Sequence, residues 1–240
     1  MELLFLETVD STNKYAKENL SKINDKTLIY ANYQSAGRGR LQRKWNSNSG
    51  ENVYASIVLK PSKKLKDVYA NLTQYLSLIL AETIEDYGIY SQIKWPNDVL
   101  INGKKIAGLL SETVVQGDSF KGLILGIGVN LNAKLEDVNA IPDKVATSLN
   151  LELNKNIDMY EFIQRLSDKF FVNYDEFLVK GFEFIKSDYI SRVSFLDTEI
   201  SVQVLNEVKS GLAKSISDSG ELVLENNGKE FVLTIGDILC

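Results

Sequence analysis

The chain has 240 residues, a formal net charge of −5 and no histidine. The acidic balance argues against general nucleic-acid binding, which needs a basic face, so we expect no DNA partner. Without histidine, the Ser-His-Asp and Cys-His arrangements and most zinc sites are excluded. An enzyme of this composition would work by positioning and by electrostatics from lysine, arginine, backbone N–H groups or a metal ion.

The composition also predicts a cytoplasmic protein with no membrane association. Its single cysteine, Cys240, permits no internal disulfide, as is usual in a reducing compartment. The apolar run at residues 75–81 is too short to span a bilayer. Residues 1–7 lack the basic flank of a signal peptide.

Residues 1–132 combine strand patterns with two helix patterns. An amphipathic helix to about residue 20 follows Ser11, Thr12 and Asn13, which taken alone are best explained as an N-cap. A second helix is predicted at residues 67–87, where apolar residues fall at helical spacing and Gly88 follows as a stop. Strands are predicted at residues 3–6, 27–33, 53–59, 92–95, 99–101, 105–115 and 121–132. The last three strands are expected to form an antiparallel meander, because Asn-Gly at 102–103 is a strong hairpin signal.

The C-terminal part of the chain changes in kind. Helices are predicted at residues 159–178, with Asp158 and Glu161 as a capping box, and at 182–190. Four short strands then follow with turn signals between them, at residues 199–205, 211–217, 222–225 and 230–235. This spacing predicts a small β-barrel. We place the domain boundary near Arg192, which divides the chain into residues 1–191 and 192–240.

One loop is the strongest candidate for a binding site. We call residues 34–45 the basic loop: it contains two glycines, three arginines, a lysine and Trp45, while the nearest acids are Asp25 and Glu51. Glycines allow close approach of the backbone to a ligand, and arginines match phosphate and carboxylate oxygens with paired donors. A tryptophan offers a face for stacking. The loop therefore predicts a site for a small anion that carries an aromatic base.

Three further segments interrupt apolar strands with polar residues or glycines. They are residues 11–13, the pair 94–98 and 104–110, and residues 126–132. Each has an ordinary structural explanation: an N-cap, a turn and a hairpin tip with solvated lysines, or a strand that needs room for a neighbour. Of the two lysines at the tip, Lys105 is nearer the strand interior. Together, the four segments argue for one shared site.

These motifs resemble those of the biotin–protein ligases. The resemblance spans nearly the whole chain and rests on Ser-Thr-Asn at 11–13, Gly-Arg-Gly-Arg at 37–40, Lys-Trp-Pro-Asn-Asp at 94–98, Lys-Ile-Ala-Gly-Leu-Leu at 105–110 and Gly-Ile-Gly-Val-Asn at 126–130. It implies an α+β fold, with a class II synthetase-like catalytic domain built on a mixed sheet with helices. The β-rich end would be the SH3-like C-terminal domain of the family.

The resemblance also implies a role for each matching residue. The biotin-binding set is Ser11, Thr12, Asn13, Gln34, Gly37, Arg38, Gly39, Arg40, Lys105 and Gly108. The set for ATP and the adenylate is Arg38, Arg40, Arg43, Trp45, Asn97, Lys105 and Asn130. Lys105, Arg38 and Arg40 would be catalytic, with Lys105 bridging the biotin carboxylate and the α-phosphate. Asp98 would aid the metal or the carrier lysine.

The implied activity is ATP-dependent biotinylation. Biotin is converted to biotinyl-5′-AMP, with Mg²⁺ neutralising the phosphates through ligands that the sequence does not identify, and is then transferred to a lysine of a biotin carboxyl carrier domain. The oligomeric state, monomer or homodimer, and the identity of the carrier stay open. The nearest alternatives are a lipoate or octanoate ligase or transferase of the same fold, and a non-catalytic biotin-binding regulator.

Two departures from the family pattern stand out. Gln42 replaces the later glycine of the Gly-Arg-Gly-Arg-x-Gly-Arg loop, so we expect the far end of the basic loop to be stiffer. The chain also starts directly at the first catalytic strand, without the winged-helix domain of some bacterial members. We therefore expect a ligase that is not itself a repressor.

Overall fold

A mixed sheet and a smaller antiparallel sheet organise the molecule. The computed structural model describes residues 2–47, 52–61, 66–141 and 145–239, with the backbone alone for Gln42, Lys66 and Asp67. The first sheet is built from β1 (Glu2–Val9), β2 (Thr27–Gln34), β3 (Val53–Leu59), β4 (Gln92–Lys94), β5 (Asp98–Ile101), β6 (Lys104–Gln116) and β7 (Ser119–Val129). Its spatial order is β1-β2-β3-β7-β6-β5-β4. β1 and β2 are parallel and the other neighbours are antiparallel.

Helices cover the two faces of this sheet to different extents. The helices are α1 (Thr12–Glu18), α2 (Lys66–Tyr69), α3 (Leu72–Glu85), α4 (Leu135–Asn139), α5 (Leu149–Leu153), α6 (Met159–Val172), α7 (Tyr174–Lys180) and α8 (Lys186–Ile190). On one face, α3 is backed by α6 and α8 and contributes to the large core. On the other face, α1 packs on β2, β3 and β7 and buries only a short apolar cluster. No helix within these described ranges is long and apolar enough to cross a membrane.

The alternation along β7 explains why the second face is only half covered. Leu123, Leu125, Ile127 and Val129 point into the large core, whereas Ile124 packs under α1. Gly126 and Gly128 follow Ile124 on the α1 side at the period of two that a strand imposes. The sheet therefore presents backbone instead of side chains near the N-terminal end of α1.

The second sheet contains the C-terminal strands. They are β8 (Glu199–Val204), β9 (Glu207–Ile216), β10 (Leu222–Asn226), β11 (Lys229–Leu233) and β12 (Asp237–Leu239), in the order β11-β10-β9-β8-β12. The antiparallel pairing confirms the predicted β-rich end, but across residues 199–239 strand pairing does not close the sheet into a barrel. β12 was not predicted. The boundary at 192 stays a prediction.

Several predicted helices are shorter than expected. The helix expected at 67–87 is divided into α2 and α3. Asn71 is the N-cap residue of α3, and its Nδ2 donates to Gln74 Oε1 and to the carbonyl of Ser219. The helix expected at 159–178 ends at Val172, and residues 181–184 form a 3₁₀ turn before α8. Asp158 caps α6 as predicted, accepting a bond of 2.8 Å from the Glu161 amide. α4 and α5 were not predicted.

Candidate functional site

The floor of the candidate site is the glycine-lined part of the sheet. Gly108 on β6 pairs directly with Gly128 on β7, and Gly126 is two residues away on the same face. A β-carbon on Gly126 would lie 2.5 Å from Asn13 Oδ1, and one on Gly128 would lie 2.4 Å from Cε2 of Trp45. Both distances are shorter than van der Waals contact, so these glycines are needed for Asn13 and Trp45 to lie where they do.

A buried polar network forms one end of this floor. Gln34 Oε1, at the end of β2, accepts hydrogen bonds from Thr12 N at 2.8 Å and Thr12 Oγ1 at 3.1 Å. Beneath them, Ser56 Oγ on β3 lies 2.8 Å from Thr12 Oγ1 and 2.6 Å from Asn13 Oδ1. Gln34 Nε2 donates to Ser47 Oγ at 3.3 Å. Buried polar groups of this kind are stable only when paired, so the network fixes the start of α1 against the sheet.

This network corrects the interpretation of residues 11–13 as a simple helix cap. Ser11 does occupy the N-cap position and is buried, but its side chain makes no capping hydrogen bond. Thr12 and Asn13 are turned instead toward the strands. Their burial depends on partners 22 to 99 residues away in the chain, as the bonds to Gln34 and Glu112 show.

Glu112 is a site residue that the sequence reasoning missed. On β6, it accepts a hydrogen bond of 2.8 Å from Asn13 Nδ2 and also pairs with Lys17 of α1. Asn13 is therefore held from two sides, by Ser56 and by Glu112. The only signal in the sequence is a carboxylate within the apolar run of β6, at a position that alternates with the buried residues.

The basic loop arches over the other end of the floor. Arg38 and Lys44 form an isolated antiparallel bridge, and Gly39 N donates to Arg43 O at 2.7 Å. Gly37 is buried under this turn, where a β-carbon would lie 2.6 Å from the Trp45 carbonyl oxygen. At the tip, Leu41 has a φ of 51°, an unusual left-handed conformation for a leucine. The side chain of Arg38 is exposed.

Trp45 lies on the glycine pair. Its ring occupies the space above Gly108 and Gly128, with Lys105 Nζ 5.7 Å from the ring centroid. Its Nε1 is buried and donates to no acceptor among the described residues. The resemblance implied that the ligand tail passes close to Gly108. The indole lies next to Gly108, where a β-carbon would be 2.8 Å from Trp45 Cζ3.

A second charged cluster lies beside the tryptophan. Lys105 Nζ is 2.5 Å from Asp98 Oδ1, and each side chain is 16% exposed. Asn97 Nδ2 donates to Leu109 O at 2.9 Å, and Asn97 Oδ1 accepts from Arg40 Nη1 at 2.9 Å. The loop arginine is thereby joined to the strand pair that carries Lys105.

The C-terminal sheet completes this cluster. Asp237, the first residue of β12, lies with Oδ1 at 3.0 Å from Arg40 Nη1 and with Oδ2 at 2.9 Å from Arg43 Nη1. The sequence reasoning missed Asp237, because it lies almost 200 residues from the basic loop and follows a glycine in an apolar run. No local pattern relates the two segments.

Two of the predicted motif residues have structural partners. Asn130 is buried, and its Nδ2 donates to Thr147 O at 3.0 Å. Its role toward a nucleotide stays a prediction. Trp95 is buried against the C-terminal sheet, where its Nε1 donates to Gly220 O at 3.1 Å. Trp95 therefore links the segment after β4 to the C-terminal sheet.

Lys105 and the loop arginines give the site a positive charge, and burial changes the pKa of one neighbouring side chain. Burial raises the pKa of Tyr54, which lies on β3 two residues from Ser56 and accepts a hydrogen bond from Asn52. Within the described ranges, no group of three or more histidine, cysteine, aspartate or glutamate side chains could hold a metal ion. The arrangement suits an anion bound by Lys105 and the loop arginines.

Comparisons with known proteins agree with this geometry. The sequence profile described as the biotin/lipoate A/B protein ligase family matches residues 5–130. The bifunctional ligase/repressor BirA of Bacillus subtilis is 36% identical over 94% of this chain and 70% of its own length. The biotin–[acetyl-CoA-carboxylase] ligase of Paracoccus denitrificans is 29% identical over 97% and 98%.

A solved structure extends the likeness to three dimensions. The biotin protein ligase of Aquifex aeolicus, in complex with biotin and ATP, superposes with a TM-score of 0.85 at 28% identity. The match covers 99% of this chain and 97% of that one, so it includes the C-terminal sheet as well as the site. On the profile match and the bacillary relative together, the chain belongs to the biotin/lipoate A/B protein ligase family.

Proposed function

We propose that the protein is an ATP-dependent biotin–protein ligase, which makes biotinyl-5′-AMP and transfers the biotinyl group to a lysine of a carrier domain. One observation carries the proposal. The glycine floor runs from a buried hydroxyl–amide network to Lys105, with Trp45 on the glycine pair. The likeness to a ligase that binds biotin and ATP supports it.

The polar network is the end that binds the biotin ring. A ureido group has two N–H donors and one carbonyl acceptor, and Thr12, Gln34 and Ser56 offer hydroxyl and carboxamide groups in a buried setting. Binding exchanges hydrogen bonds within the network for bonds to the ligand. Ser11 and Asn13 flank this pocket and complete it.

The network favours biotin over lipoate. A dithiolane ring carries no hydrogen-bonding group, so it would leave buried amides and hydroxyls without a ligand partner. Sites built to hydrogen-bond a substrate reject analogues that lack the group by large factors. This argument concerns the head group alone, because both acids end in a similar alkyl carboxylate.

Lys105 and the loop arginines serve the activation step. A carboxylate oxygen of biotin attacks the α-phosphorus of ATP, the bond to the bridging oxygen breaks, and pyrophosphate leaves. Two anions must approach each other, so Lys105, Arg38 and Arg40 lower the repulsion and stabilise charge on the phosphate oxygens. Arg43 supports the same anionic end, and Asn97 holds Arg40. Trp45 supplies the stacking face for adenine.

Mg²⁺ enters with ATP as part of the substrate. Magnesium is usually held by one or two carboxylates together with substrate phosphates, which needs no dedicated cluster of protein ligands. Asp98 is a candidate second contact, since its carboxylate is only partly exposed and lies beside Lys105. If Lys105 left Asp98 to bind the nucleotide, Asp98 Oδ1 would become available to the metal ion.

The transfer of the biotinyl group takes place in the same site. The unprotonated amine of the carrier lysine attacks the acyl carbon, the bond from that carbon to the phosphate oxygen breaks, AMP leaves, and the new amide loses a proton. The basic loop covers the mixed anhydride and keeps water from it. The cytoplasm, where carrier domains are made, is the compartment we assign.

A thermal-shift comparison tests the choice of acid. The protein is titrated with biotin or with lipoate, each with ATP and Mg²⁺ present. We expect a rise in melting temperature with biotin and none of comparable size with lipoate. A rise with lipoate alone would reverse the assignment, and octanoate serves as a control for the alkyl carboxylate.

A further inference from the structure

The contact between Asp237 and the basic loop joins the C-terminal sheet to a loop near the N-terminal part of the first sheet. One carboxylate bridges two guanidinium groups, with Arg40 at 3.0 Å and Arg43 at 2.9 Å. The side chain of Asp237 is only 14% exposed, and that of Arg40 is 23% exposed. The pair with Arg40 is therefore shielded from water and stronger than a pair on an open surface. The pair with Arg43 is weaker, because the Arg43 side chain is 49% exposed and Asp237 Oδ2 accepts no hydrogen bond among the described residues.

The backbone of Asp237 is held by strand pairing. It pairs with Gln203 in the β12–β8 ladder. The C-terminal sheet is in turn fastened to the catalytic part at the Ser217–Glu221 turn, where Trp95 Nε1 and Gln74 Nε2 both donate to Gly220 O, at 3.1 and 2.8 Å. The carboxylate is therefore held at a fixed place beside the site.

The basic loop needs such an anchor. Its cations repel one another, and no acidic residue lies between Asp25 and Glu51 in the sequence. Leu41, between the two arginines that Asp237 binds, holds an unfavourable left-handed backbone. A carboxylate that binds both Arg40 and Arg43 offsets this repulsion and strain together.

The anchor also sets where Arg40 points. Arg40 Nη1 is shared between Asp237 and Asn97, which lies next to the Asp98–Lys105 pair. Among the described residues, Arg40 uses Nη1 alone, so its Nη2 and Nε are directed to no protein acceptor there. Those donors are the ones that a phosphate beside Lys105 could take up.

We propose that Asp237 is a positioning residue: it holds the basic loop over the site through Arg40 and Arg43, and so makes the affinity for ATP and the retention of the adenylate depend on the C-terminal sheet. This rests on the proposed function for its chemical consequence. Its structural part, the anchoring of the loop, needs no substrate and can be tested on the protein alone.

Limited trypsin digestion of the full, ligand-free chain tests the anchoring. The loop contains cleavage sites at Arg38, Arg40, Arg43 and Lys44. We expect Asp237→Asn to be cut within the loop several times faster than the wild type, as expected when an ordered segment opens more often. The matched control is Asp218→Asn, which removes an exposed pair with Lys186 on the same sheet and should leave loop cleavage unchanged. Unchanged cleavage in Asp237→Asn would overturn the proposal.

Steady-state kinetics test the consequence. We expect Asp237→Asn to raise KM for ATP about tenfold, the effect of losing one charge-assisted contact, and to shorten the lifetime of bound adenylate. KM for biotin should change little, and Asp237→Glu should recover part of the loss. A lower KM for ATP would mean that Asp237 competes with the nucleotide, and a lower melting temperature with unchanged KM would mean a merely structural pair. Either result rejects the inference.

Two safeguards keep the test decisive. If Asp237→Asn does not fold, Arg43→Gln removes one partner of the contact and should give faster cleavage at Arg38, Arg40 and Lys44, the loop sites that remain. If the wild type makes no AMP from biotin and ATP, the proposed function fails, while the trypsin experiment still decides whether Asp237 anchors the loop.

Discussion

Gly108 and Gly128 face each other across β6 and β7, and together they leave the space in which the indole of Trp45 lies. Neither strand could carry a side chain there without displacing the ring. The glycines of this family motif are therefore needed for the position of Trp45, an aromatic residue of the chain itself.

Replacing Gly128 tests this relationship. A β-carbon at Gly128 would lie 2.4 Å from Trp45 Cε2, so Gly128→Ala should push the ring out and weaken nucleotide stacking. We expect KM for ATP to rise about tenfold, as for loss of one aromatic–base contact. Gly126→Ala is the matched variant. Its β-carbon would meet Asn13 instead of Trp45, so it should raise KM for biotin. Equal effects of both variants on both substrates would contradict the assignment.

Removing Ser56 tests the polar network. Ser56 is fully buried and bonds both Thr12 and Asn13, so Ser56→Ala leaves these two groups without their shared partner. We expect a rise of about tenfold in Kd for biotin, since one unpaired buried polar group costs about 1–3 kcal/mol. Isothermal titration with biotin checks the effect. Unchanged biotin affinity together with reduced ATP affinity would mean that the polar network binds ATP and not biotin.

Neutralising Lys105 should strongly slow the formation of the adenylate. Lys105→Gln removes the cation beside Asp98 and Trp45, and we expect the rate of adenylate formation to fall by about 100-fold or more. Radiolabelled pyrophosphate exchange measures this step alone. The neighbouring Lys104→Gln is the control, because Lys104 is exposed and only weakly paired with Glu152 at 3.7 Å. A similar loss in both variants would argue for a general charge effect.

Loosening the basic loop should release the adenylate. Arg40→Gly removes the contacts to Asn97 and Asp237 and adds backbone freedom at the tip. We expect biotinyl-AMP to escape and to label lysines of an added bystander protein. Mass spectrometry of that protein, with and without ATP, detects the label. Transfer that stays confined to the carrier domain would contradict the role of the loop.

Glu82 gives a pH-dependent stability prediction. Burial in α3 is the main cause that raises the pKa of Glu82 above its usual value, against the lowering effect of Arg192 and Lys169. The native state then binds the proton more tightly than the unfolded chain, so stability is lost as pH rises through the raised pKa. We expect Glu82→Gln to raise the melting temperature at pH 7 and to have little effect below pH ~4, where Glu82 is protonated in both states. The exposed Glu183→Gln is the control, and a gain that does not depend on pH would refute the prediction.

The sequence predicted the parts of the site that are local. The glycine and arginine pattern of the basic loop, the strand patterns at residues 53–59 and 121–132, and the Asn-Gly hairpin before Lys105 each depend on residues close together in the chain. Asn102 and Gly103 indeed take the positive φ values, 50° and 74°, of a two-residue hairpin turn. Such features follow from backbone sterics and side-chain period, which a sequence displays directly.

The parts that depend on tertiary contact could not be predicted. Glu112 and Asp237 become site residues only once the Glu112 side chain on β6 reaches Asn13 of α1 and β12 lies beside the basic loop. At the break between α2 and α3, Asn71 donates to the Ser219 carbonyl, which is 148 residues away in the chain. The capping residue types at Ser11–Asn13 were recognised, but their partners are on three different strands.

The most direct measurement is AMP release with each substrate omitted in turn. The complete mixture contains the protein, biotin, ATP, Mg²⁺ and a biotin carboxyl carrier domain. The account predicts AMP and biotinylated carrier in the complete mixture, and neither product when biotin or ATP is left out. AMP formation that does not depend on biotin, or its absence in the complete mixture with folded protein, would contradict it.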